Sequence, residues 1–73
     1  MPARFRDIVR VLGEYGVRIE EPRTGSHWKA ISKSGLSFRI TAHNGLKSEI
    51  PDVYIRGICR TFEIDLAEFK KKL

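Results

Sequence analysis

A single cysteine, Cys59, is all the sulfur nucleophile the chain carries, so no disulfide can close within it, and no cysteine and histidine cluster has zinc-ligand spacing. Long apolar runs are missing too. Nothing approaches the ~18 residues of a membrane span, and the charged segment Met1 to Arg10 lacks the apolar stretch of a signal peptide. These absences predict a cytoplasmic protein with no membrane, metal or cofactor requirement. There is no internal repeat and no low-complexity linker beyond the basic run Lys70 to Lys72, so residues 1 to 73 are expected to form one domain. A chain of this length buries only about 60–65% of its unfolded surface. That leaves little room for a deep pocket and favours a substrate lying across an exposed face.

Acidic residues are absent from one stretch, and this is the most telling lack. The chain has 14 basic and 9 acidic residues. Residues 1 to 22 balance four arginines against four carboxylates, and residues 48 to 73 balance five cations against five. The whole net charge of +5 therefore falls on Arg23, Lys29, Lys33, Arg39 and Lys47, with no carboxylate among residues 23 to 47. A one-sided field of this kind suits a polyanionic partner such as RNA, although a plainly solvated basic face has the same composition.

Phe5, Ile8, Val9 and Leu12 recur at helical spacing and predict a first helix over Ala3 to Tyr15, with Gly16 at its left-handed end. Val17 and Ile19 alternate as a short strand, which the turn-forming run Pro22 to Ser26 ends. His27 to Ser32 and Leu36 to Ala42 read as two further strands. Ile55, Ile58, Cys59 and Phe62 make the stripe of a helix that opens at Pro51-Asp52 and runs to about Thr61. Cys59 on that stripe is a small hydrophobe rather than a nucleophile. Asp65 with Glu68 is a capping-box-like pair, and Ile64 with Phe69 has staple spacing, so a last helix is expected over Leu66 to Lys72. Residues 43 to 49 are expected to be irregular. Gly13 and Gly57 fall inside predicted helices, where glycine lowers propensity. The expected class is α+β: a two-layer domain of order α-β-β-β-α-α, with helices on one face of a three-stranded antiparallel sheet.

Hairpin register decides where His27 points. A two-residue loop, Ser34-Gly35, would place lysines opposite Ile40 and Leu36 on the core face. A three-residue loop, Lys33-Ser34-Gly35, aligns Trp28 with Ile40, Ala30 with Phe38 and Ser32 with Leu36, so apolar residues meet. His27, Lys29, Ile31, Arg39 and Thr41 then share the wet face, and Trp28 belongs to the core. An imidazole can take or give a proton near neutrality, and RNA cleavage by its own 2′-hydroxyl needs a base, an acid and cations for the phosphate. His27 is accordingly the candidate catalytic residue. Lys29, Arg39 and Lys47 are candidate phosphate ligands, and His43 is a candidate RNA contact or second proton-transfer group. Gly25 and Ser26 shape the turn that presents the histidine.

Arg6-Asp7-Ile8-Val9, Gly25-Ser26-His27-Trp28-Lys29, His43-Asn44-Gly45, Glu49-Ile50-Pro51 opening a helix, and Asp65-Leu66-Ala67-Glu68-Phe69 together resemble the HicA (YcfA-like) toxins. Ala30 and Thr41-Ala42 depart from that pattern, in which a bulky aromatic and a proline are usual. The resemblance implies a double-stranded-RNA-binding-domain-like fold and an mRNA interferase whose active histidine is His27. It also implies a HicB-type antitoxin that masks that histidine. Two other readings stay open: a non-catalytic RNA-binding module on the same basic face, and a domain that docks an acidic protein.

Overall fold

The apolar spacing produces its helices in the computed structural model, which describes residues 2–73, but the first one starts at Phe5, where its stripe begins, and not at Ala3. Met1, the first residue of the expected domain, lies outside the described residues. Ala3–Arg4 form a short strand, β1, before helix α1 at Phe5–Glu14. β1 pairs antiparallel with β5, Glu49–Ile50, which begins at the last residue of the segment 43 to 49 expected to be irregular. The Phe5 N–H donates to the Ser48 carbonyl at 2.8 Å, so backbone pairing satisfies the helix start where Arg4 supplies no side-chain cap. A two-residue ladder carries no alternation to read, which is why periodicity missed it.

Between α1 and β5 run β2 (Arg18–Glu20), β3 (His27–Ile31), β4 (Ser37–Thr41) and a 3-10 turn (Gly45–Lys47). Helices α2 (Asp52–Phe62) and α3 (Leu66–Lys72) complete the chain. The order is thus β-α-β-β-β-β-α-α instead of α-β-β-β-α-α. The main sheet is nonetheless three-stranded and antiparallel, ordered β2-β3-β4. Gly16, at φ 78°, ends α1 as expected, and the Val17 N–H reaches the Leu12 carbonyl at 3.0 Å. Asp65 caps α3 by accepting from the Glu68 N–H at 2.9 Å.

The β3–β4 register is that of the three-residue loop: Trp28 faces Ile40, Lys29 faces Arg39 and Ala30 faces Phe38. Gly35 takes the left-handed bulge position at φ 94°. Phe5, Ile8, Val11 and Leu12 from α1 and Ile55 and Ile58 from α2 cover the Ala30–Ile40 side of the sheet. Val11 replaces Val9 in the fully buried stripe, because the helix turns its i, i+3, i+6 and i+7 positions inward. Leu36 is 42% exposed at the hairpin tip, in a cleft beside Val17, Phe62 and Ile64, so it does not join the core as its alternation suggests. The thinnest dimension, 18 Å, accommodates one sheet and one helical layer at ~10 Å spacing. No helix among the described residues is long and apolar enough to cross a membrane.

The two helical glycines have opposite surroundings. A Cβ at Gly13 would meet nothing within 4 Å, whereas one at Gly57 would lie 2.9 Å from Phe38 Cζ. Phe38 is held by an edge contact with Tyr54, ring centres 6.5 Å apart, so it has a partner to lose by moving. Gly13→Ala should therefore stabilise by about 0.5–1 kcal/mol through helix propensity. Gly57→Ala should instead destabilise by about 1 kcal/mol, since overpacking outweighs the same gain. Urea denaturation of both variants checks the pair, and equal shifts would refute the close-approach role of Gly57.

Candidate functional site

Strand alternation sends His27, Lys29 and Ile31 of β3 to the side of the sheet away from the helices. Their cross-strand partners on β4 are Thr41, Arg39 and Ser37, so imidazole, ammonium, guanidinium and two hydroxyls share one face. His27, Trp28, Lys29, Ser37 and Arg39 line a depression of about 550 Å³ there. Trp28 itself turns inward. Its ring meets Phe5 edge-on with centroids 5.0 Å apart, which fixes the strand that carries His27 and Lys29.

Lys29 and Arg39 stand directly opposite one another, and among the described residues neither makes an ion pair. Cross-strand side chains lie about 4.5–5.5 Å apart at Cβ, and like charges there destabilise a sheet. An anion between them would relieve that repulsion. Elsewhere carboxylates neutralise cations: Arg10 lies 3.9 Å from both Asp7 and Glu14, and Lys72 lies 3.5 Å from Glu14. Asp52 holds Arg56 at 2.8 Å and Lys70 at 2.7 Å, tying the start of α2 to α3. The Lys70 ammonium, against the opposing effect of burial, and then Arg56 keep the Asp52 carboxyl below its ordinary value.

The remaining candidates divide. The Ser26 carbonyl accepts from the Ala42 N–H at 2.8 Å, which closes the end of the hairpin where His27 begins. Gly25, at φ 84°, makes the left-handed step before it. His43 is exposed at this same end of the hairpin but does not line the depression. Lys47 is not brought to the His27 face at all. It lines a second depression with Arg4, Arg6, Leu46 and Glu49, because the 3-10 turn carries it round to the start of α1. Burial pushes the Cys59 thiol up, in keeping with a small hydrophobe on the inner stripe of α2.

Sequence alone gave no sign of Glu20. It lies outside the acid-free stretch, yet the β2–β3 register places it directly across from Lys29. Arg18, on the same face, draws its carboxylate to 3.5 Å and leaves Lys29 without an ion pair. With a polyanion such as single-stranded RNA as the ligand of this face, removing the charge in Glu20→Gln should tighten binding by about two- to fivefold at low ionic strength, with the gain fading as salt screens it. Fluorescence anisotropy at two salt concentrations checks this; unchanged or weaker binding would show that Glu20 does not oppose the cations. Compared with protein-family models, with curated proteins and with solved structures, the chain finds no match.

Proposed function

We propose that the protein is an RNA-binding endoribonuclease, an mRNA interferase of the HicA toxin type with a double-stranded-RNA-binding-domain-like fold. The observation that supports this best is the cross-strand pair Lys29 and Arg39, without carboxylate partners, beside His27 on the wet sheet face. The two cations hold a phosphate of the RNA backbone. The adjacent 2′-hydroxyl attacks phosphorus, its proton passes to a base, and the P–O5′ bond breaks as the leaving oxygen takes a proton. His27 performs a proton transfer in this step, and no metal is required. A HicB-type antitoxin neutralises the protein by covering the histidine face.

RNA cleavage by wild type and His27→Ala in EDTA tests the proposal. Equal cleavage by both would remove His27 from the mechanism. A specific observation favours a second reading, a non-catalytic RNA-binding module. The depression contains one imidazole, whereas the reaction needs both an acid and a base, and His43 does not line it. Tight, salt-sensitive RNA binding with intact RNA across varied transcripts would select the module.

A further inference from the structure

Arg4, Arg6 and Lys47 come from three separate places, β1, the first turn of α1 and the 3-10 turn, and converge on a depression of about 530 Å³. Three cations there face one carboxylate, Glu49, which stands opposite Arg4 in the β1–β5 register. Among the described residues, neither Arg4, Arg6 nor Lys47 makes an ion pair, Glu49 included. All three side chains are exposed, and Leu46, 46% exposed, adds an apolar surface beside them.

The position of this cluster is held from inside the fold. Ser48 is buried; its Oγ accepts from the Asn44 N–H at 2.8 Å, and its carbonyl accepts from the Phe5 N–H at 2.8 Å. The turn that bears Lys47 is thereby locked to the start of α1. Arg4 and Arg6 flank Phe5 in sequence, and Phe5 packs edge-on against Trp28, which His27 and Lys29 flank in turn. A Cβ at Gly45 would come within 3.9 Å of the Trp28 ring, so the turn also abuts that tryptophan. One aromatic contact therefore joins two groups of free cations.

We infer that the Arg4, Arg6 and Lys47 depression is a second phosphate-binding site, which engages the backbone of the same RNA strand beyond the segment held at His27. This rests on RNA being the ligand of the sheet face. The physical basis is that guanidinium and ammonium groups left without carboxylates, in a shape open to solvent, bind phosphates and release counterions. Leu46 offers the ribose or base an apolar rest. An acidic protein could meet the same charge, but the closeness of this turn and helix start to the strand that bears His27 and Lys29, through Phe5 and Trp28, favours one polyanion that reaches both groups.

The test is binding of a long single-stranded RNA by wild type and the triple variant Arg4→Gln, Arg6→Gln, Lys47→Gln, followed over a range of salt. The variant should bind about tenfold or more weakly at low salt, and its slope of log K against log salt should be shallower by about 2, near 0.7 per lost contact. Arg60→Gln with Lys71→Gln, two exposed cations on α2 and α3 that make no ion pair among the described residues, should change neither quantity. The Trp28 emission spectrum confirms that each variant is folded. Wild-type affinity and slope in the triple variant, or equal losses in the control, would overturn the second site. Displacement by poly-glutamate as effective as by RNA would assign the surface to acidic protein instead. Cleavage that survives His27→Ala would overturn the proposed catalysis while leaving the salt slopes to judge this site, and wild type that binds no RNA would overturn both.

Discussion

His27→Ala should cleave RNA about 10²–10⁴-fold more slowly than wild type while binding it within about threefold. The two readouts separate because the side chains that hold and react differ. Lys29 and Arg39 remain in place across the β3–β4 ladder, so the phosphate still finds its cations. In the proposed mechanism, what disappears is a proton-transfer group that matters only as the 2′-oxygen attacks or the 5′-oxygen leaves, and the loss should appear in kcat rather than KM. Stability should hardly move, since the imidazole is exposed and makes no hydrogen bond or ion pair among the described residues. His43→Ala provides the comparison. It is the other histidine, exposed at the same hairpin end but away from the depression, and its loss should slow cleavage by less than about tenfold. If the two variants exchanged magnitudes, the catalytic assignment would move to His43.

Phe5→Ala should cost about 3–5 kcal/mol, the range for emptying a fully buried aromatic site. Phe5 is 0% exposed, is the first residue of α1, and meets Trp28 edge-on at 5.0 Å. A domain of this size has only about 4–11 kcal/mol in all, so the variant should be partly unfolded at room temperature or melt far below wild type. The backbone makes collapse around the hole difficult. Phe5 donates to Ser48 and follows a strand pinned to Glu49–Ile50, so the helix start cannot slide inward to fill it. Trp28 is the only tryptophan, and its emission should shift to the red as it loses its aromatic neighbour. A urea midpoint displaced by less than the equivalent of about 1 kcal/mol would show that the Phe5 and Trp28 contact does not organise this end of the molecule.

The two variants bear on different links in the same chain of causes. His27 faces solvent while Trp28, beside it on the strand, packs against Phe5. Disturbing the aromatic pair should therefore weaken RNA binding at both groups of cations, because the two rings position the strand and the helix start that carry them.

Much of this was legible in the residues. Alternation in Trp28 to Ile31 and Phe38 to Ile40, together with Gly35, sufficed to choose the hairpin register, because a one-residue slip would have buried lysines. The last helix and its Asp65 cap were legible for the same local reason, since a side chain three residues from its partner N–H carries the whole signal. Val11 was harder, because two overlapping helical stripes differ by one residue and the sheet chooses between them. β1 and β5 could not be read, since each is two residues long and their pairing joins positions that local pattern does not connect.

Sequence by itself determined the α+β class, the parity that puts His27, Lys29 and Arg39 on one face, and the confinement of the net charge to residues 23 to 47. All three follow from interactions within a helix, a hairpin or a tally of charges. Only the tertiary structure decided which charges are neighbours. It set Glu20 across from Lys29 and placed Lys47 beside Arg4 and Arg6, apart from Lys29 and Arg39. Electrostatic interaction falls with distance in space, and the pairing of β2 with β3 and of β1 with β5 makes close neighbours of residues that lie far apart along the chain.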